Sequence, residues 1–185
     1  MKRNVLIFGS IIGAILVIHI MYMVHLIYNK PDFQSNDVLG YIFLFGVFSL
    51  VFFGVRNYRN KELNGFISLG KAFKTGTLIA LLAATIYVVF WLFYYYLYVP
   101  DFLDKYIEHV MLEATREGAT KAELATQSEQ MDQFSDMYQG PLMVSLITYM
   151  EVLPIGLVVA FVSSLILKKK PKTTTETKNS SEENE

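Results

Sequence analysis

Apolar positions in this chain gather into four long runs, at residues 4–28, 38–56, 74–99 and 142–167, with most of the charged residues between them. Each run meets the roughly 20 residues needed to cross a hydrocarbon core of about 30 Å. The pattern therefore predicts four membrane-spanning helices. The first run follows Met1-Lys2-Arg3, as a signal peptide would. Its apolar stretch is too long for that role and no small-x-small cleavage site follows, so a retained span is expected.

The intervening segments differ in kind. Asn29 to Asp37 is short, holds Pro31 and reads as a simple turn. Arg56 to Lys74 carries five basic residues and the turn signal Asn64-Gly65. Within it Phe66, Ile67, Leu69, Ala72 and Phe73 interleave with Lys71 and Lys74, a composition suited to lying along a headgroup layer. Gly65, Gly70 and Gly76 do not make a phosphate loop, because no Lys-Ser/Thr ending follows. The basic patch Arg56, Arg59, Lys71 and Lys74 is accordingly read first as a topology signal, and second as a site for an anionic lipid or phosphate.

Pro100 to Pro141 is the sole sizeable polar segment. Phe102, Tyr106, Val110, Met111 and Ala114 recur at helical spacing, Gly118 supplies a helix stop, and Thr120-Lys121-Ala122-Glu123 is a capping box opening a second helix. Leu124, Met131, Phe134 and Tyr138 line one face of that helix. The expectation is a helical hairpin capping one mouth of the bundle. It holds nine carboxylates against three lysines and arginines. Glu129, Asp132 and Asp136 share a face and are read as solvated rather than as a calcium site, which would also need backbone oxygens from a loop. His109 is read as a surface residue.

At 185 residues, 53% of them hydrophobic, the chain has the length of one domain. The predicted fold class is all-α, an integral membrane four-helix bundle with an extracytoplasmic hairpin between spans three and four. Residues 1–170 form the membrane domain; residues 171–185, rich in Thr, Lys, Ser and Glu, are expected to be a disordered cytoplasmic tail. With both termini cytoplasmic, twelve lysines and arginines fall inside and four outside, the asymmetry that sets topology. The absence of cysteine excludes disulfides, thiolate metal sites, cysteine nucleophiles and cysteine-linked lipid anchors.

Several stretches together resemble a known family. They are Phe53-Gly54-Val55-Arg56-Asn57-Tyr58-Arg59, Asn64-Gly65, Gly70-Lys71-Ala72-Phe73-Lys74-Thr75-Gly76, Pro100-Asp101-Phe102-Leu103-Asp104-Lys105-Tyr106, Met137-Tyr138 and Glu151-Val152-Leu153-Pro154-Ile155-Gly156. As a set they are similar to the Bacteroidota membrane family called domain of unknown function (DUF) 4199. The resemblance covers nearly all of the chain except the tail, and implies a four-pass protein of the bacterial inner membrane. It brings no activity and no catalytic residues with it.

Glu151 is the strongest chemical signal. A carboxylate inside a span costs several kcal/mol unless neutralised, paired or hydrated. Glu151 and His19 each lie roughly 13 Å below the same end of their spans, with Trp91 and Ser49 within about a turn of that level. A His19–Glu151 pair would relieve both desolvation penalties if the two helices face each other. Pro154 cannot donate to the Met150 carbonyl, which leaves a free acceptor one turn from Glu151. His25 lies six residues from His19, off the same helix face, so the two do not form a metal site. No metal site and no cofactor is expected.

Small residues four apart let helix backbones approach closely. Gly9 and Gly13, Gly76 with Ala80 and Ala84, and Gly156 with Ala160 and Ser164 all fall toward the cytoplasmic ends of their spans. The other ends are rich in Tyr, Phe and Trp. A bundle tight at one end and wider at the other follows, with Glu151 near the floor of the wider part. An aromatic-filled core with an interfacial belt is the competing reading. Gly9-x-x-x-Gly13 serves either packing within the chain or a dimer contact.

Functionally, the sequence points to a non-enzymatic component of the inner membrane that acts through partners: the bilayer, a second copy or another membrane protein, and no nucleic acid. The alternative is a small oligomeric carrier or proton-coupled permease using Glu151 with His19. A third class, an intramembrane or lipid-modifying enzyme with Glu151 as base, needs a second catalytic group, for which only His19 or a tyrosine is on offer.

Overall fold

The computed structural model describes residues 1–30, 33, 34 and 36–169; the expected tail at 171–185 lies outside the described residues. The described residues form seven helices: α1 Lys2–Asn29, α2 Asp37–Phe48, α3 Leu50–Glu62, α4 Leu69–Leu97, α5 Phe102–Arg116, α6 Lys121–Met137 and α7 Gly140–Leu167. Four helical stretches are long and apolar enough to cross a membrane: Lys2–Asn29, Val38–Glu62 (α2 continued by α3), Leu69–Leu97 and Gly140–Leu167. Most of their ends lie a few residues beyond the apolar runs, although the third stops at Leu97, short of residue 99. No β-strand occurs among the described residues; Ile67 and Lys169 form an isolated antiparallel bridge.

Local chemistry sets the boundaries. The Asn36 side chain accepts from the Leu39 N–H at 3.0 Å and starts α2. Ser68 accepts from Lys71 N–H and starts α4, so residues 69–74 are the first turns of that helix rather than a separate surface segment. At Ser49 the second span changes register: its hydroxyl donates to Gly46 O at 2.6 Å, and Phe52 N–H bonds the Ser49 carbonyl, three residues back. α7 carries Pro141 in its first turn and runs on through Pro154.

The hairpin follows the sequence signals closely. α5 ends at Gly118, whose φ of 87° suits glycine. Gly118 N–H bonds Thr115 O and Ala119 N–H bonds Ala114 O, the paired contacts of a Schellman ending. Thr120 and Glu123 then close the expected capping box on α6.

α4 is the central helix, packed along both α1 and α7; α3 touches α1, α4 and α7, whereas α2 leans on α7 and α1. Small residues bring these helices together. A Cβ added at Gly9 would meet Leu82 at 2.8 Å, and one at Gly13 would meet Ile86 at 2.9 Å. The Gly9/Gly13 pair therefore serves α1–α4 packing within the chain. At the α4–α7 contact, a Cβ at Gly76 would meet Ala160 at 2.9 Å, and one at Gly156 would meet Phe48 at 2.7 Å and Ala80 at 2.8 Å. Ala80, Ala83, Ala84 and Ala160 are fully buried there.

Two clusters of buried side chains result. The larger joins α1, α2, α3, α4 and α7 through Ile12, Leu16, Phe48, Val51, Val55, Ile79 and Val152. The smaller lies at the hairpin end, where Val24, Trp91, Tyr95, Val99, Leu103, Tyr138 and Val144 meet. It seats the hairpin on the bundle, reinforced by the Tyr28 hydroxyl, which donates to Asp101 at 2.7 Å. α6 has no buried residue along its length, so the hairpin is held mainly through α5 and through Tyr138.

Candidate functional site

Glu151 projects from α7 beside the buried stripe Val144, Thr148 and Ile155. Seven-residue and four-residue separations keep these positions on neighbouring parts of one face. The residue is exposed, with protein close around it. Its carboxylate is thus open to the outside of the bundle, with protein packed close on its inner side. Among the described residues Glu151 takes part in no hydrogen bond or ion pair; the groups within its electrostatic reach are the phenols of Tyr87 on α4 and Tyr138 at the end of α6.

Tyr138 is the best-defined polar group of this region. Trp91 Nε1–H donates to its hydroxyl at 2.6 Å in a buried contact, and Thr148 lies within hydrogen-bonding reach. Burial pushes the Tyr138 phenol above its ordinary pKa, against the opposing pull of the Trp91 and Thr148 hydrogen bonds. Thr148 itself donates to Val144 O at 2.7 Å. The next residue, Tyr149, donates its hydroxyl to Thr85 at 2.9 Å and ties α7 to α4.

The structure separates the other expected members. His19 stacks on Phe43 of α2, with ring centroids 3.9 Å apart, and no hydrogen bond or ion pair joins it to Glu151 among the described residues. Equal depth does not bring side chains together when their helices turn them to different neighbours. Trp91 is buried and committed to Tyr138. Pro154 is exposed, and Met150, whose carbonyl it leaves without a helical donor, is 76% exposed. His25 is exposed and contacts Asn29 at 3.2 Å.

His109 departs from the surface placement read from its sequence neighbourhood. It is buried, stacked on Phe33 with centroids 5.7 Å apart, and its Nε2 lies 4.0 Å from the Glu113 carboxylate. Phe33 lies far from α5 in sequence, so no local pattern announces this contact.

The basic patch divides into two roles. Arg56, Lys71 and Lys74 are exposed. Arg59 instead donates from Nη1 to Leu167 O at 3.2 Å, satisfying a carbonyl at the C-terminus of α7. Ile67 and Lys169 exchange backbone hydrogen bonds at 3.0 and 2.9 Å, and the Lys169 ammonium sits 5.7 Å over the Phe66 ring. Nearby, Asn57 donates to the buried Asn4 side chain at 2.9 Å. No group of three or more His, Cys, Asp or Glu side chains among the described residues is placed to hold a metal ion.

Residues 6–169 match the family described as Protein of unknown function (DUF4199). The chain belongs to this family. The match takes in all four long apolar helices and the hairpin. No curated protein and no solved structure matches the chain. Family membership agrees with the resemblance carried by the quoted motifs and assigns no chemistry to any residue.

Tyr138 and Tyr87 were not singled out as site residues from the sequence. The available signal for Tyr138 was its position two residues before Gly140-Pro141, where the hairpin re-enters the bundle. Tyr87 was one aromatic among many, with nothing local to mark it.

Proposed function

We propose that this DUF4199-family protein is a multi-pass, non-catalytic component of the bacterial inner membrane, with both termini cytoplasmic and the α5–α6 hairpin outside. It works by presenting Glu151 to a group supplied by another molecule. One observation carries this reading: Glu151 is reachable and takes no hydrogen bond or ion pair from the described chain. A carboxylate at membrane depth is stable only when neutralised, paired or hydrated. The natural complement is a cationic or hydrogen-bond-donating side chain of a partner helix, or of a second copy.

The neighbouring groups favour binding over catalysis. Nucleophilic or general acid–base chemistry needs a second poised group within hydrogen-bond reach. Tyr138 is already engaged by Trp91, and His19 is stacked away on Phe43. A second reading, a small proton-coupled carrier formed by oligomerisation, is favoured by the same open approach to Glu151, because an accessible intramembrane carboxylate can take up a proton or cation.

The test is assembly of the native protein against Glu151→Gln, extracted gently from membranes and resolved by size and composition. Under the partner reading the variant keeps its thermal melting profile and loses a stoichiometric companion or its self-association. A variant that retains native assembly but loses pH-dependent uptake in proteoliposomes moves the assignment to the carrier.

A further inference from the structure

At the end of the bundle away from the hairpin, the start of α4 and the end of α7 are drawn together. Ile67 and Lys169 exchange backbone hydrogen bonds, and the Lys169 ammonium lies over the Phe66 ring. Lys168 and Lys169 are thereby set beside the segment that carries Lys71 and Lys74, far earlier in the sequence. All four lysines are exposed, and none takes part in an ion pair among the described residues. No Asp or Glu occurs between Leu63 and Pro100, or between Val152 and Pro171. Glu62, which ends α3, is engaged by the N-terminal ammonium of Met1.

An apolar surface adjoins these cations on the side of the spans. Phe73 on α4 and Phe161 on α7 meet edge to face, with ring centroids 5.9 Å apart, and both are exposed. Leu165, also exposed, continues the Phe161 face of α7 toward Lys168. An orientation signal needs only a number of cations near a span end. It does not need cations from two remote segments gathered above one aromatic pair. The arrangement has the divided polarity of a phospholipid, with positive charge at headgroup level and apolar surface where acyl chains begin.

We infer that this corner of the bundle holds an anionic phospholipid. Its phosphate sits among Lys71, Lys74 and Lys168, and its acyl chains run along Phe73, Phe161 and Leu165. Lysine meets a phosphate as a mobile point charge, and its aliphatic stem lies along apolar surface while the ammonium stays at the headgroup. A lipid is the occupant, and not a soluble phosphate, because the apolar part of the surface is open to the bilayer. The inference is independent of Glu151.

The test titrates the purified full-length protein in neutral detergent with dioleoyl phosphatidylglycerol or dioleoyl phosphatidylcholine, and counts bound lipid by native mass spectrometry. The chains are identical, so the net charge of the headgroup is what the pair compares. One phosphatidylglycerol is expected to bind at least about fivefold more tightly than phosphatidylcholine. The Lys71→Gln/Lys74→Gln double variant loses that preference. Phe161→Ala, which leaves every charge in place, weakens both lipids. Arg56→Gln/Lys61→Gln removes two exposed cations from α3 at the same end and leaves the preference intact. Equal loss in the two double variants would reduce the effect to diffuse charge and overturn the proposal. So would equal affinity of the native protein for the two lipids. Displacement of the lipid by comparable concentrations of glycerophosphoglycerol, the same headgroup without chains, would overturn it too. Lys71 and Lys74 are exposed, so their double variant folds and decides the matter even if Phe161→Ala does not.

Discussion

Trp91 on α4 donates its indole N–H to the hydroxyl of Tyr138, 47 positions further along the chain, at 2.6 Å. The bond fastens the last residue of the hairpin to the central helix of the bundle, among side chains that exclude water. It also places the Tyr138 hydroxyl beside Thr148 and within electrostatic reach of Glu151. Hairpin position and the surroundings of the intramembrane carboxylate are thus joined through a single phenol.

Tyr138→Phe keeps the ring and removes that oxygen. The Trp91 N–H is then left buried without an acceptor, a loss of about 1–3 kcal/mol. Thermal unfolding of the purified protein should register it. Trp91→Phe should cost a similar amount, and the double variant much less than the sum of the two, because contacting residues couple. Additive losses would show that the hydrogen bond contributes little.

Identical substitutions at two glycines should have opposite signs. At Gly76 an added Cβ meets the Ala160 Cβ at 2.9 Å and its Cα at 3.2 Å, so backbone must move; Gly76→Ala should lower stability by about 1–3 kcal/mol. Gly46 lies inside α2 with nothing within 4 Å of such an atom. Gly46→Ala should be neutral or stabilising by up to about 1 kcal/mol, through reduced backbone freedom in the unfolded chain. Melting curves in one detergent decide both. A destabilised Gly46→Ala would mean that α2 is covered by another molecule at that position.

The capping box gives the hairpin a defined acid limit. Hydrogen bonds from the Thr120 N–H and hydroxyl lower the Glu123 pKa below its ordinary 4.5. A lowered folded-state pKa contributes stability that is complete above the ordinary value and is lost as pH falls through the folded one. Helical signal from α6 should therefore decline below about pH 4.5, and Glu123→Gln should remove that part of the decline. Amide exchange at Thr120 and Glu123, followed against pH, is the direct measurement. Exchange that is independent of pH after correction for intrinsic rates would rule out the linkage.

How far the sequence announced these features depends on the range of the interaction behind each. Span positions follow from hydropathy, and the α5–α6 joint follows from Gly118 and the Thr120/Glu123 box, because both are written within a few residues. Gly9, Gly13, Gly76 and Gly156 were legible as close-packing sites, but only the neighbouring helix decides whether the contact lies within the chain. His109 was misjudged because Phe33, more than 70 positions earlier, supplies its cover. The depth argument places His19 and Glu151 at one level by arithmetic alone. It could not supply the rotation of α1 and α7 about their own axes, and that rotation gives His19 to Phe43. Tyr138 acquires its role chiefly from Trp91, 47 positions away in sequence.

Single cysteines in this cysteine-free chain can distinguish an open crevice from a lipid-facing or partner-covered carboxylate. Glu151 is exposed amid dense protein, Met150 is exposed on the adjoining outer face, and Ile155 is buried one turn along. A charged, membrane-impermeant thiol reagent attacks the thiolate, which forms in water and not in hydrocarbon. In purified protein reconstituted in bilayers, Glu151→Cys should be labelled while Met150→Cys and Ile155→Cys are not. Labelling of none of the three would place position 151 against lipid and remove the crevice. In native membranes the same Glu151→Cys should be protected if a partner occupies the site, and become reactive on purification. Reactivity undiminished in native membranes would leave the crevice open to water in the working state, the condition a proton-coupled carrier requires.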